Sequence, residues 1–270
     1  MTSSHNSGLP LQGVRVVEFC TTAAGPFSSM LLSDMGAEVV KIEPPAGDGL
    51  RQWPPLNEGY SENFASLNRN KQSVVLDLKN PDDLALAKRL IQDGDVLIEN
   101  NRPGVMDRLG LGYQTLSQAH PKLIYCSISA YGQTGPRSGE GGFDLTIQAA
   151  AGVMSVTGEP GGAPVKCGVP VSDFTSGLYA AFAIVSQLAS VRAGGKGAHI
   201  DVPMFGCTLG IAALQTSEYF GKGLSPVKLG SAHPRNAPYQ AFRAKDGYFA
   251  IAAGNHKPVS YTHLRAHETR

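Results

Sequence analysis

Two hydrophobic periods take turns along the first half of this chain. "VRVVEF" (14–19) and "EVVKIE" (38–43) are apolar runs rich in β-branched residues and too short for helices. Between them "CTTAAGP" reads as a turn, and "FSSMLLSDMGA" has helical character. Strand, turn, helix and strand in this order make a βαβ unit, whose strands lie parallel. The pattern then repeats. "SVVLDL" (73–78) reads as a strand and "PDDLALAKRLIQDG" as a helix, with Asn80 as N-cap, Pro81 at the first position, and Asp82 and Asp83 where the dipole favours anions. "DVLIEN" (95–100) and "LIYCSIS" (123–129) are further strands, separated by short helices over 103–119. This alternation predicts a doubly wound α/β layer. After residue 140 glycine and alanine dominate. A long helix is expected from Asp173 to Val191, a strand over 198–204, a helix through about Phe220, a loop, and a β hairpin over 240–255 turning at Asp246-Gly247.

Composition narrows the function classes. The chain has 270 residues, 42% hydrophobic and 17% charged, enough for one large domain or two smaller ones. A net charge of +1 gives no footprint for nucleic acid or an anionic membrane surface. Cys20, Cys126, Cys167 and Cys207 are far apart, with no histidine at metal-ligand spacing, so they read as free thiols of a cytoplasmic protein and no metal is expected. Residues 1–10 are polar and read as a disordered tail without a signal peptide. The most apolar stretch, 173–192, is interrupted by Asp173, Ser176, Ser186 and Gln187, so no membrane span is expected. The last residues, 258–270, do not continue the pattern and read as a non-native tail, which removes His263 and His267 from consideration as a metal pair.

Candidate chemistry is sparse but placed. "CTTAAGP" lacks the GxGxxG pattern of a nicotinamide dinucleotide site, although its small residues would let a phosphate or adenine approach the backbone. Lys71 and Lys79 flank one strand, and Arg102 and Arg108 follow another; cations at neighbouring strand ends suit a ligand with several phosphates. His120, His199 and His233 have no partner at triad spacing. Two aspartates stand before helical runs. Asp144 reads as a cap, and its distance from Asp173 is not fixed by their spacing. Asp173 precedes apolar residues at helical spacing (Leu178, Ala181, Phe182, Val185, Leu188). The local pattern favours an N-cap there; a carboxylate reagent is the alternative, and a helix dipole would keep such a group ionised.

Several stretches together resemble the class III CoA-transferases, of the formyl-CoA transferase and carnitine CoA-transferase type. They are "LQGVRVVEF", "GPFSSMLLSDMGAEVVKIEPPAGD", "NRNKQSVVLDLK", "DVLIENNRPGVMDRLGLGY", "AYGQTGP", "VPVSDFTSGLYAAFAI" and "GGKGAHIDVPM", in order over 11–257. The resemblance implies a Rossmann-like CoA-binding large domain over 11–222, the start of a smaller domain over 223–257, and a longer intact protein that forms an interlaced homodimer. It implies that Asp173 is the nucleophile that attacks an acyl-CoA thioester. It implies further that Thr22, Ala23, Ala24, Lys79, Asn100, Asn101, Arg102 and Arg108 contact CoA, a substrate rather than a resident cofactor. The other substrate would be a small carboxylic acid, with Tyr131, Gln133 and Gln148 as candidates for the acyl side. An arginine that some members carry after "KIE" is Pro44 here. In the related α-methylacyl-CoA racemases a histidine precedes the aspartate of a Gly-His-Asp triplet; here that position is Phe143, which argues against proton transfer. The oxyanion-stabilising glycine loop of the family lies later in the chain, so the sequence reads as a truncated enzyme with weak or no activity, or else as a CoA-binding fragment without chemistry.

Overall fold

The computed structural model describes residues 8–254; the 258–270 tail with its two histidines lies outside the described residues. Contacts divide the described residues into two units: the first through residue 151 together with 169–212, the second 152–168 together with the described residues from 213 onward. The division falls after Ala212 rather than 222, and it moves 152–168 out of the larger unit.

The larger unit opens with β1 (Arg15–Phe19), α1 (Ala24–Asp34) and β2 (Glu38–Glu43), the expected βαβ unit. A short 3-10 turn, Gly49–Gln52, leads to a small ribbon of β3 (Leu56–Asn57) and β4 (Tyr60–Ser61), then α2 (Glu62–Asn68) and β5 (Lys71–Val75). Next come α3 (Pro81–Gln92), β6 (Val96–Glu99), α4 (Val105–Arg108), α5 (Tyr113–Ala119), β7 (Ile124–Ser129) and α6 (Asp144–Ala150). Asn80 caps α3 as expected, its Oδ1 accepting the Asp82 N–H at 2.9 Å. After α7 (Val153–Val156) of the other unit, the chain returns as α8 (Val171–Arg192), β8 (His199–Pro203) and α9 (Met204–Ile211).

Six strands form one sheet in the order β5-β2-β1-β6-β7-β8, and every neighbouring pair is parallel. Strand order reverses between β1 and β6. Loops leaving the carboxyl ends of those two strands diverge to opposite faces, and this leaves a crevice where α/β proteins place ligands. One face of the sheet buries Val16, Val39, Ile98 and Cys126 against α1 and α8; the other buries Val17, Leu97 and Tyr125 against α3 and α5.

Helix α8 is the element that departs most from its sequence reading. It starts at Val171, two residues before Asp173, and its buried face is made of small residues: Ser172, Ser176, Gly177, Ala180 and Ala181, with Ile184 and Leu188. A Cβ on Gly177 would stand 2.8 Å from the Ala24 carbonyl oxygen, so glycine permits the close approach of α8 to α1. The large apolar residues Leu178, Phe182 and Val185 face outward instead, Phe182 at 73% exposure. By length and hydropathy alone α8 would cross a membrane; here its small-residue face is packed on α1 and β7.

The smaller unit holds α7, α10 (Ala213–Lys222) and the antiparallel hairpin β9 (Tyr239–Arg243) and β10 (Tyr248–Ala252), with the Ala244 N–H donating to the Gly247 carbonyl across the turn.

Candidate active site

A cleft of about 360 Å³ opens at the β1/β6 crevice. Its floor is the two diverging loops, Thr21–Ala24 after β1 and Asn100–Pro103 after β6; its walls are the 140–143 segment, the start of α6, and Asp173. Thus Thr22, Ala23, Ala24, Asn100, Asn101, Arg102 and Asp173, scattered over 150 positions of sequence, share one cavity because the sheet order reverses beneath them.

The loops are locked to each other. The Asn100 amide accepts from the Thr21 N–H at 3.0 Å and donates to the Thr21 carbonyl at 2.8 Å. Asn101 donates through Nδ2 to the Phe19 carbonyl, and its N–H donates to Glu99. Both asparagines therefore fix loop shape at the cleft floor. Thr22 adopts φ +67°, a left-handed conformation unusual for a β-branched residue. Arg102 has no acidic partner among the described residues and stands between this cleft and a second cavity of about 230 Å³. Gly141 gives it room, since a Cβ there would lie 3.0 Å from an Nη atom of Arg102.

Asp173 lies in the first turn of α8 and is not its cap; Pro170 holds the cap position and makes no side-chain cap bond. The capping carboxylate comes from Asp144, on α6. Its Oδ1 accepts the Ser172 N–H at 2.8 Å and the Asp173 N–H at 3.4 Å, and its Oδ2 accepts from Gln148 Nε2 at 2.6 Å. Asp144 thus satisfies two of the helix's free donors across space. The consequence for Asp173 reverses the expectation of a permanently ionised group. Burial, then the neighbouring Asp144 carboxylate, push its pKa up to about 7.

Other expected residues take different places. Lys79 and Arg108 are exposed and line neither cavity. Lys71, read as a strand-end cation for phosphate, is instead buried in an ion pair with Glu18 at 2.9 Å. Gln148 is fully buried behind Asp144 and does not line the cleft, so it positions Asp144 rather than meeting an acyl group. Gln133 lines the second cavity. Tyr131 lines neither; its ring carries the Arg137 guanidinium, 3.8 Å from the centroid, and its hydroxyl accepts from the same group at 2.7 Å. Phe143 lines the cleft at 77% exposure, with no ionisable group to offer there. Among the described residues no cluster of side chains suits a metal ion.

Charges that no motif announces lie beneath the cleft. Glu18, Lys41, Glu43 and Glu99 all sit within central strands and are buried. Strands covered on both faces are ordinarily near-continuous apolar runs, so these interruptions were the available signal.

Known proteins share this sequence pattern and this fold. The family model for CoA-transferase family III matches residues 11–263, and the chain belongs to that family. It is 41% identical to the succinate–glutarate CoA-transferase of Agrobacterium fabrum, over 94% of this chain and 66% of that protein. It is 41% identical to the acetyl-CoA:oxalate CoA-transferase of Acetobacter aceti, over 91% of this chain and 64% of that protein. A crystal structure of a CaiB/BaiF family protein from Brucella suis superposes with a TM-score of 0.87 at 43% identity, covering 92% of this chain and 67% of that one. The chain therefore spans somewhat under two thirds of the length of the curated relatives it matches.

Proposed function

We propose that the protein transfers CoA between an acyl-CoA thioester and a small carboxylic acid, with Asp173 as covalent nucleophile. The observation that carries this is the position of Asp173: a half-buried carboxylate opening on the cleft at the β1/β6 crevice, in a chain of this family. A carboxylate oxygen of Asp173 attacks the thioester carbonyl carbon and expels CoA thiolate, leaving a mixed anhydride. The thiolate attacks the aspartyl carbonyl, releasing the donor acid and leaving an aspartyl-CoA thioester. The acceptor carboxylate then displaces CoA thiolate from the aspartyl group, and the thiolate attacks the acceptor's acyl carbon to form the new thioester and free Asp173. Each step exchanges one acyl–oxygen or acyl–sulfur bond for another and needs no redox partner.

The loops of the cleft floor would hold the nucleotide thioester, with Arg102 supplying charge for its phosphates. Because Asp144 occupies the Ser172 and Asp173 N–H groups, the oxyanion must be met by other donors. The two curated relatives are named for dicarboxylic acids, which supports an acceptor of that kind. The outward stripe Leu178, Phe182 and Val185 supports a homodimer in which α8 is covered. Phe143 counts against a racemase, since it can neither donate nor accept a proton.

The test is to incubate the chain with acyl-CoA, trap with hydroxylamine or borohydride, and look for modification of Asp173 by mass spectrometry. The expected result is a modified Asp173 that is absent in Asp173→Ala, with CoA binding kept in that variant. An active protein whose turnover survives Asp173→Ala would refute the reading.

A further inference from the structure

Below the cleft floor lies a group of buried charges to which the proposed reaction assigns no role. Lys41 Nζ lies 3.0 Å from Glu18 Oε1 and 3.0 Å from Asp48 Oδ2, and it donates to the Cys20 carbonyl at 2.6 Å. The second lysine, Lys71, shares Glu18 through its other oxygen at 2.9 Å and donates to the Pro26 carbonyl. Asp48 in turn accepts the Leu50 N–H at 3.0 Å and the Thr22 N–H at 3.4 Å. Buried ion pairs of this kind add little net stability over apolar replacements of the same size. Their contacts point upward, to both ends of the turn that floors the cleft.

That turn is strained where the contacts meet it. Thr22 holds φ +67°, and a β-branched residue stays in the left-handed region only where its surroundings over-determine it. Lys41 fixes the carbonyl of residue 20, Asn100 fixes both backbone groups of residue 21, and Asp48 takes the N–H of residue 22. Three consecutive residues are gripped by side chains from three separate segments of the chain.

We propose that the buried Lys41–Asp48 pair is a positioning device, holding Thr22 in its left-handed conformation so that the Thr21–Ala24 turn presents a preformed surface to the nucleotide thioester. This rests on the CoA reading above. Neither residue touches the substrate; both act through the turn.

The test is CoA titration by calorimetry with the whole chain. The charge-balanced variant Lys41→Met/Asp48→Leu removes one charge of each sign together with the oxygen that accepts the Thr22 N–H, and leaves Glu18 paired with Lys71. It is expected to keep its melting temperature within a few degrees while its Kd for CoA rises about tenfold. Adding Thr22→Gly to that variant is expected to bring Kd back to within about threefold of the parent, because glycine takes positive φ without steric cost. A purely structural pair would show the opposite pattern, with melting temperature lost and no rescue by glycine. Thr22→Pro provides a second route that leaves the buried charges alone. Proline fixes φ negative and removes the N–H, and the same tenfold loss is expected. Unchanged affinity in either variant, or no rescue by Thr22→Gly, overturns the proposal while the CoA reading stands. A parent chain that does not bind CoA overturns both.

Discussion

The strands beneath the cleft floor and the α6–α8 wall treat buried carboxylates in opposite ways. In β1, β2 and the turn after β2, which form the first side, every buried acid has a cation. Glu18 is penalised by burial, but Lys71 and Lys41 more than offset this and hold its pKa below the ordinary carboxylate value. Glu43 is likewise penalised by burial, yet the Arg51 guanidinium, the Ser73 hydroxyl and the Asp48 N–H bring it down to about 2. On the α6–α8 wall no cation among the described residues answers. Asp173 meets burial and a second carboxylate, Asp144, with opposite outcome. What separates Glu18 and Glu43 from Asp173 is thus the company each keeps, since all are withdrawn from water; Glu99 on β6, buried without a cation among the described residues, is pushed up as Asp173 is.

Breaking the paired side should have the largest effect on stability. Glu18→Gln leaves Lys41 and Lys71 close together with one negative charge removed, and breaking a buried pair this way typically costs ~3–5 kcal/mol. Urea denaturation of the variant should show a loss of that order. A loss under 1 kcal/mol would mean that the lysines find other partners and that the pairing is not what holds this side.

The unpaired wall should respond with the opposite sign. Asp173 binds its proton up to about pH 7 when folded, against an ordinary value of 3.8. The folded state therefore holds that proton more tightly. The stability associated with it is fully present below pH 3.8 and is lost as pH rises through about 7. Asp173→Asn removes this titration, so the variant should equal the parent near pH 4 and exceed it at pH 8 by up to ~4 kcal/mol, at roughly 1.4 kcal/mol per pKa unit. Thermal melts at the two pH values decide it; a variant no more stable at pH 8 would show that Asp173 is not short of a counter-charge.

The same contrast explains what could be read in advance. The parallel sheet, the Asn80 cap and the hairpin near Asp246-Gly247 follow from local rules of period, capping and turn chemistry, so they were legible in "PDDLALAKRL" and "AKDGY". The loops of the cleft floor were legible only through strand alternation, which sets where the sheet order reverses. The cap of α8 was not legible, because it comes from Asp144, 29 residues before Asp173. Pairing of Glu18 with Lys41 and Lys71 is a matter of register between β1, β2 and β5, which a single sequence leaves open. Helix α8 shows how a sound rule can point the wrong way. Of the apolar residues at helical spacing, Ala181 and Leu188 pack, but Leu178, Phe182 and Val185 face outward, and Gly177 with its small neighbours is what allows the close approach to α1.

The smallest expected effect is the most discriminating. Asp144→Asn keeps an oxygen that can accept the Ser172 N–H, so α8 should remain capped while the negative charge beside Asp173 disappears. Burial, the larger cause of the raised pKa, is untouched. The titration of Asp173 should therefore move down by about one unit rather than return to the ordinary carboxylate range. Under the proposed mechanism only the ionised form attacks, so the transfer rate rises with pH through the Asp173 midpoint, and the rising limb should shift to lower pH by the same unit. A weaker base is also a weaker nucleophile, so the plateau rate should fall slightly as the limb moves. If the limb stays in place, Asp144 acts on α8 as a cap alone. If it moves by the full amount, charge rather than burial sets the reactivity of this wall.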